Sequence, residues 1–216
     1  MNITEHNIIV NKTARYCSND PGESKITNTW IVIHGYAQLA KDFIREFEFL
    51  SVPEALIVAP EGLSKFYSKN NPAASWMTKE DRSNEINDYI NYLEKIFTEI
   101  NNSCDLTSSK INLLGFSQGV HTAVRWFIKS RYHFDKLILC SSDFPGDADF
   151  AGLKEKLSRS ELFYLQGRND RITTPERFAE NLELLRNNNI KAEEIYFDGQ
   201  HEIDPDAILK VHLTNK

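Results

Sequence analysis

The chain has 216 residues, a net charge of −6 and 41% hydrophobic residues, values that suit one globular domain spanning 1–216. The acidic balance, without a long basic run, argues against nucleic acid or an anionic membrane as partner. Three scattered cysteines (Cys17, Cys104, Cys140) lack metal or redox spacing, which points to reduced thiols in the cytoplasm. The amino terminus lacks a basic stretch followed by a long apolar one, so no leader is expected. The apolar runs are strand-length, so no stable membrane insertion is expected.

Taken in chain order, Asn7 to Val10 and Thr13 to Cys17 read as two short strands, an antiparallel hairpin at a sheet edge. Asn19-Asp20-Pro21-Gly22 is a turn cluster. Trp30 to Ile33 is a continuous apolar run ending at His34-Gly35, which suits a strand buried on both faces. Leu39 to Leu50 reads as a helix with Phe43, Phe47 and Leu50 on one side, and Pro53 ends it. Ala55 to Ala59 is a second buried strand, and Leu63 to Met77 reads as a polar loop. Ile86, Tyr89, Ile90, Leu93, Ile96, Phe97 and Ile100 recur at steps of three and four, one apolar helical stripe. These aromatics are expected in the core.

Ile111 to Leu114 is a strand that runs into Gly115-Phe116-Ser117-Gln118-Gly119. Val120, Ala123, Val124, Phe127 and Ile128 then follow helical spacing. Lys136 to Cys140 and Leu162 to Leu165 are buried strands, and Glu194 to Phe197 is the last one. Pro175 to Asn187 and Asp204 to Leu213 read as helices, the former with proline in its first turn. Alternating strands and helices imply a mostly parallel sheet covered on both faces. In such sheets, sites form beyond the carboxyl ends of the strands.

The chemistry starts at Ser117. In G-x-S-x-G, a tight strand-to-helix turn lifts a hydroxyl above the sheet, and a Cβ at Gly115 or Gly119 would clash. A serine hydroxyl needs a base, and the base needs an orienting acid. Of the six histidines, His201 is the one after the serine that follows a strand, so it is the candidate base. His121 lies one helical turn past Ser117 and is expected to pack beside the turn without reaching the hydroxyl. Asp170 and Asp143 both follow strands, and Ser117–Asp170–His201 matches the chain order of this hydrolase architecture. An oxyanion would be met by the backbone N–H of Gln118 and by one from the loop after His34-Gly35, Tyr36 being favoured over Ala37.

Together, His34-Gly35-Tyr36-Ala37, Ala59-Pro60-Glu61-Gly62, Ser75-Trp76, Gly115-Phe116-Ser117-Gln118-Gly119, Gly167-Arg168-Asn169-Asp170 with Ile172-Thr173-Thr174-Pro175, and His201-Glu202-Ile203 carry a likeness running from about Trp30 to the carboxyl terminus. The chain resembles the carboxylesterase/phospholipase group of the α/β-hydrolases, which includes the acyl-protein thioesterases. The resemblance implies an α/β-hydrolase fold without a large lid and no metal or organic cofactor. It implies a small-molecule ester or thioester as substrate. It selects Asp170 over Asp143 as the acid, assigns Ser117, Asp170 and His201 as the triad and Tyr36 and Gln118 as oxyanion donors, and places Trp76 at the acyl or leaving-group pocket. The chain departs from the family at Tyr36-Ala37, where many members have Leu-Gly, at Ala74-Ser75-Trp76-Met77-Thr78, where many have Arg-Ser-Trp-Phe-Asp, and at Val120, where glycine is usual. Segments Leu63 to Met77 and Asp143 to Ser158 are left to shape a pocket. Phe66, Tyr67, Phe144 and Phe150 are expected to be exposed, available to line a groove or a homodimer interface. The expected activity is carboxylic ester hydrolysis, with acyl-thioesterase or lysophospholipase action as the alternative. A non-catalytic binding protein on the same scaffold is the competing class, and three filled triad positions weigh against it.

Overall fold

The structure, a computed structural model, describes residues 1–22 and 24–214. The apolar runs from Trp30 onward become strands, because a continuous run offers side chains to both faces and needs cover on both. The strands of the main sheet are β1 (Tyr16–Ser18), β2 (Asn28–Ile33), β3 (Ala55–Pro60), β6 (Lys110–Phe116), β7 (Lys136–Cys140), β8 (Glu161–Gly167) and β9 (Glu193–Phe197). A two-stranded hairpin, β4 (Ser64–Ser68) with β5 (Asn71–Ser75), stands apart from it. The helices are α1 (Ala40–Phe43), which continues as a 3₁₀ segment over Ile44–Leu50, α2 (Arg82–Ser103), α3 (Gln118–Lys129), α4 (Phe150–Leu157), α5 (Pro175–Asn187) and α6 (Pro205–Leu213).

The sheet runs β1-β3-β2-β6-β7-β8-β9, with every pair parallel except β1–β3. Side chains alternate between two cores. Ile31, Ile33, Leu56, Val58 and Leu113 meet α2, α3, α4 and α5 on one face. Trp30, Val32, Ile57 and Ala59 meet α1, the 3₁₀ segment and α6 on the other. This is the α/β-hydrolase architecture.

The antiparallel edge exists, but β1 pairs with β3 (Tyr16 opposite Pro60), and residues 7–10 form no strand. Ile8 and Ile9 are exposed, with no neighbouring strand to complete a hairpin. The expected loop Leu63 to Met77 contains the β4–β5 hairpin. Lys69 and Asn70 turn it with φ of 48° and 67°, the positive pair that a tight two-residue turn requires. Within Asp143 to Ser158, α4 forms where Asp149 caps the N–H of Gly152 at 3.0 Å. The helix expected over Leu39 to Leu50 is α-helical for only its first turn, yet buries Phe43, Phe47 and Leu50 as expected.

The carboxyl ends of β2, β6, β7, β8 and β9 share one edge of the sheet, so the loops after them are neighbours. The last loop is secured from behind by α6. Asp204 caps that helix on Ala207 N–H at 2.7 Å, and Lys136 donates to the carbonyls of Val211 and Thr214, both at 2.6 Å, at its other end. A buried cation at a helix carboxyl terminus meets the negative end of the helix dipole. Burial pushes the Lys136 ammonium below its ordinary pKa. Lys136→Met is expected to lower stability by about 1–3 kcal/mol, read from urea unfolding, and to speed amide exchange across α6 while leaving α2 protected.

Candidate active site

At the end of β6 the chain must turn at once into α3, and Ser117 takes the turn at φ 52°, ψ −124°. This left-handed conformation costs a non-glycine residue energy and persists only when its surroundings hold it. They do so by contact. A Cβ on Gly115 would lie 2.6 Å from the Gly119 carbonyl oxygen, and one on Gly119 would lie 2.2 Å from that of Ile33. Only glycine permits either approach. The same crowding sets Gly35 beside the serine, since a Cβ there would fall 3.1 Å from Ser117 Cβ.

The structure brings together three residues far apart in sequence. His201 Nε2 is 3.0 Å from Ser117 Oγ, and His201 Nδ1 is 2.8 Å from Asp170 Oδ2. The other Asp170 oxygen accepts from the N–H groups of Ile172 (2.8 Å) and Thr173 (3.0 Å), which fixes the carboxylate's angle. The Asp170 side chain is fully buried and that of His201 is 17% exposed, so the charge is shielded while the imidazole keeps access to solvent. The Phe116 ring packs against the imidazole at 5.0 Å. With Asp170 on Nδ1, the tautomer consistent with this geometry has Nδ1–H donating to Asp170 and Nε2 accepting from the serine hydroxyl.

Asp143, the other aspartate considered, is committed elsewhere. Its carboxylate pairs with Arg177 and accepts from Asn181 at 3.3 Å. His121 Nε2 lies 3.1 Å from the Asp143 carbonyl and packs beside the turn.

Two backbone N–H groups belong to segments next to the serine. Gln118 is the first residue of α3, where an N–H has no partner within the helix. In the 34–37 loop, Ala37 N–H donates to Ala74 O at 2.9 Å, whereas Tyr36 N–H has no hydrogen-bond acceptor among the described residues. Ala37 sits at φ 64°. The Tyr36 ring is exposed and stacks on Phe66 of the hairpin, with centroids 5.1 Å apart.

Trp76, which the resemblance places at the acyl or leaving-group pocket, is packed beside His34 and Gln118. It is 1% exposed, its indole N–H donates to His34 O at 2.9 Å, and its ring lies against the His34 ring. Its indole N–H thereby ties the end of β5 to the loop after β2. Phe144 is also buried and stacks on Phe150, which removes it from any groove or interface. Tyr67 is exposed as expected.

His34 is buried at the end of β2. Gly62 N–H donates to its Nε2 at 3.0 Å, and its Nδ1 lies 2.7 Å from Gly35 O, an arrangement that suits a neutral ring with the proton on Nδ1. Burial holds its pKa below the ordinary value. His121 is lowered too, chiefly by burial and then by Arg125. Glu61 is buried as well. Burial alone would raise its pKa, but Arg15 and Lys65 hold it below the ordinary carboxylate value. Sequence reasoning treated His34 and Glu61 only as parts of motifs, and the side chain of Gln118 not at all. That amide bonds to Ser75, Trp76 and Met77. The one signal was that glutamine, a polar residue, follows the nucleophile in a largely apolar stretch.

Sheet order, strained serine and the carboxylate–imidazole–hydroxyl chain form the arrangement that a hydrolase of the α/β type would use. Comparison with known proteins agrees. The phospholipase/carboxylesterase family model matches residues 19–213, and the chain belongs to that family. Acyl-protein thioesterase 2 from Zea mays is similar in fold, with TM-score 0.70 and 15% identity over 92% of this chain and 96% of that one. So is the carboxylesterase of Bacillus cereus, with TM-score 0.66 and 16% identity over 93% and 92%. A phospholipase/carboxylesterase from Dyadobacter fermentans aligns with TM-score 0.66 and 16% identity over 96% and 99%. Among curated proteins no match is found. The family places the chain among esterase- and thioesterase-type hydrolases. Among the described residues, no helix is long and apolar enough to cross a membrane.

The neutral state of His34 and His121 has a consequence for stability. Both rings bind protons more readily in the unfolded chain than in the fold. Stability from them is therefore present above the ordinary histidine pKa of about 6.5 and is lost as pH falls from there toward the lowered folded values. Urea midpoints are expected to fall between pH 7.5 and 5.5, and His121→Gln is expected to flatten that slope.

Proposed function

We propose that the protein is a serine hydrolase that cleaves carboxylic esters through an acyl-enzyme formed on Ser117. The observation that carries the reading is the unbroken chain Asp170–His201–Ser117, with contacts of 2.8 and 3.0 Å. As Ser117 Oγ attacks the ester carbonyl, its proton passes to His201 Nε2. Asp170 stabilises the imidazolium and keeps the ring in its orientation without taking a proton itself. The carbonyl oxygen becomes an oxyanion and is met by the N–H groups of Tyr36 and Gln118, each worth about a hundredfold in rate or more. His201 then gives its proton to the leaving oxygen, the tetrahedral adduct collapses, and the acyl group stays on Ser117. Water completes the cycle, with His201 again as base. Every charge and proton is handled by these groups, so the step needs no metal or cofactor.

A second reading shares the site. The maize neighbour is an acyl-protein thioesterase, and the same serine would attack a thioester with a thiolate as leaving group. The free state of Cys17, Cys104 and Cys140 supports a reducing, cytoplasmic setting for either reaction.

Ser117→Ala and His201→Ala are each expected to lower kcat on 4-nitrophenyl acetate by about 10⁴-fold or more, and Asp170→Asn by about 10³–10⁴-fold, with the fold intact by circular dichroism. Near-parental turnover by Ser117→Ala would overturn the reading. A chain-length series of oxygen esters, run beside matched acyl thioesters and lysolipids, is expected to show faster kcat/KM on the oxygen esters. Preference for long thioesters would favour the second reading.

A further inference from the structure

The two donors of the proposed oxyanion hole come from separate pieces of chain, the loop after β2 and the start of α3. Their N–H groups must converge within a few tenths of an ångström, because a displaced donor loses most of its effect on the transition state. What holds them in register is the end of β5. On one side, the Gln118 amide grips it. Gln118 Nε2 donates to Met77 O at 3.1 Å and to Ser75 Oγ at 3.0 Å, while Oε1 accepts from Trp76 N–H at 3.2 Å. On the other side, β5 grips the loop. Trp76 Nε1–H donates to His34 O at 2.9 Å, and Ala74 O accepts from Ala37 N–H at 2.9 Å. These two bonds bracket Gly35 and Tyr36 in sequence. The strand end is also pinned from below, where a Cβ on Gly62 would lie 2.5 Å from Ser75 O.

We propose that the side chain of Gln118 is a positioning residue for the reaction proposed above. It braces β5 against the nucleophile turn and, through β5, sets Tyr36 N–H opposite Gln118 N–H. The inference rests on that reaction, and its test is arranged so that the two fail separately. A carboxamide suits this role because it must donate to one carbonyl and accept from one N–H at the same time. A carboxylate would set an oxygen against the Met77 carbonyl, and an apolar side chain would leave the Trp76 N–H without its acceptor and the Met77 carbonyl with Ser75 Oγ alone. The backbone N–H of residue 118 survives either change, so any loss reports the brace and not the donor itself.

The test compares Gln118→Met, which keeps the volume, with Gln118→Glu, which keeps the acceptor and loses the donor. Trp76→Phe cuts the second link in the same chain. For all three, kcat on 4-nitrophenyl acetate is expected to fall about tenfold to a hundredfold while KM moves less than about threefold, the pattern of an interaction made in the transition state. Affinity for an alkyl boronic acid, whose oxygen occupies the hole once it bonds to the serine, is expected to fall by a similar factor. The Gln118→Met, Trp76→Phe double variant is expected to lose less than the product of the single losses, because both cut one path. Folded variants that keep kcat and boronate affinity within about threefold of the parent, even with a lowered melting temperature, would overturn the proposal and reduce Gln118 to a structural role. The Ser117→Ala control separates the two claims. Activity retained in Ser117→Ala defeats the reaction itself, whereas an inactive Ser117→Ala beside Gln118 variants of parental kcat defeats only the brace.

Discussion

The arrangement depends on how closely the first turn of α3 presses on the end of β2. Gly119 lies so near the Ile33 carbonyl that a side chain there would collide with backbone, an atom unable to move aside. That contact forces the turn at Ser117 into its strained conformation and sets the hydroxyl beside the loop that begins at His34. If α3 stood a methyl group farther off, the serine would relax and its alignment with the imidazole and the loop would be lost. The stiffness that resists this relaxation comes from the two cores. Val120, Ala123, Val124 and Phe127 hold α3 against one face of the sheet, and Phe43 and Phe116 fill the other beneath the histidine.

Around this contact the protein places a set of hydrogen-bonded polar side chains that a plain core does not need. His34, Glu61, Trp76 and Gln118 interlock between the ends of β2, β3 and β5 and the start of α3. Buried polar groups are costly when unpaired and rigidifying when satisfied. Here they lie just behind the site, where a fixed backbone matters more than maximal stability. Glu61 shows the pattern on the outer side. Its carboxylate takes two bonds from Arg15, at 2.7 and 3.0 Å, and ties the segment before β1 to the end of β3.

The strands β2, β3, β6, β7 and β8 were legible because they are apolar on both faces, and α2 because its stripe repeats without interruption. The β4–β5 hairpin was hidden. Its strands carry serine, lysine and asparagine, its alternation is short, and its Lys69-Asn70 turn lacks the glycine that usually marks such turns. The helix α4 was hidden for a different reason: it is eight residues long, contains Gly152, and signals itself only by Asp149 before Phe150, Leu153 and Leu157. Ile8-Ile9-Val10 misled in the opposite direction, since an apolar run has strand character on its own but forms a strand only with a partner. At the site, Ser117 and His201 could be picked out because each follows a strand and the strands share one edge, whereas Asp170 and Asp143 both do and the family resemblance chose between them. What Trp76 and the Gln118 amide touch could not be read. Their partners belong to the hairpin that the sequence concealed, so their roles were invisible for the same reason.

The central claim is that Ser117 Oγ becomes covalently acylated. It is tested most directly by mixing the protein with excess 4-nitrophenyl acetate, quenching in acid within the first turnover, and measuring intact mass followed by peptide mapping. The account predicts a transient gain of one acetyl group, found on the peptide containing Ser117 and absent when His201 is alanine. Steady release of nitrophenol with no adduct at any quench time, or with the acetyl group on another residue, would contradict it.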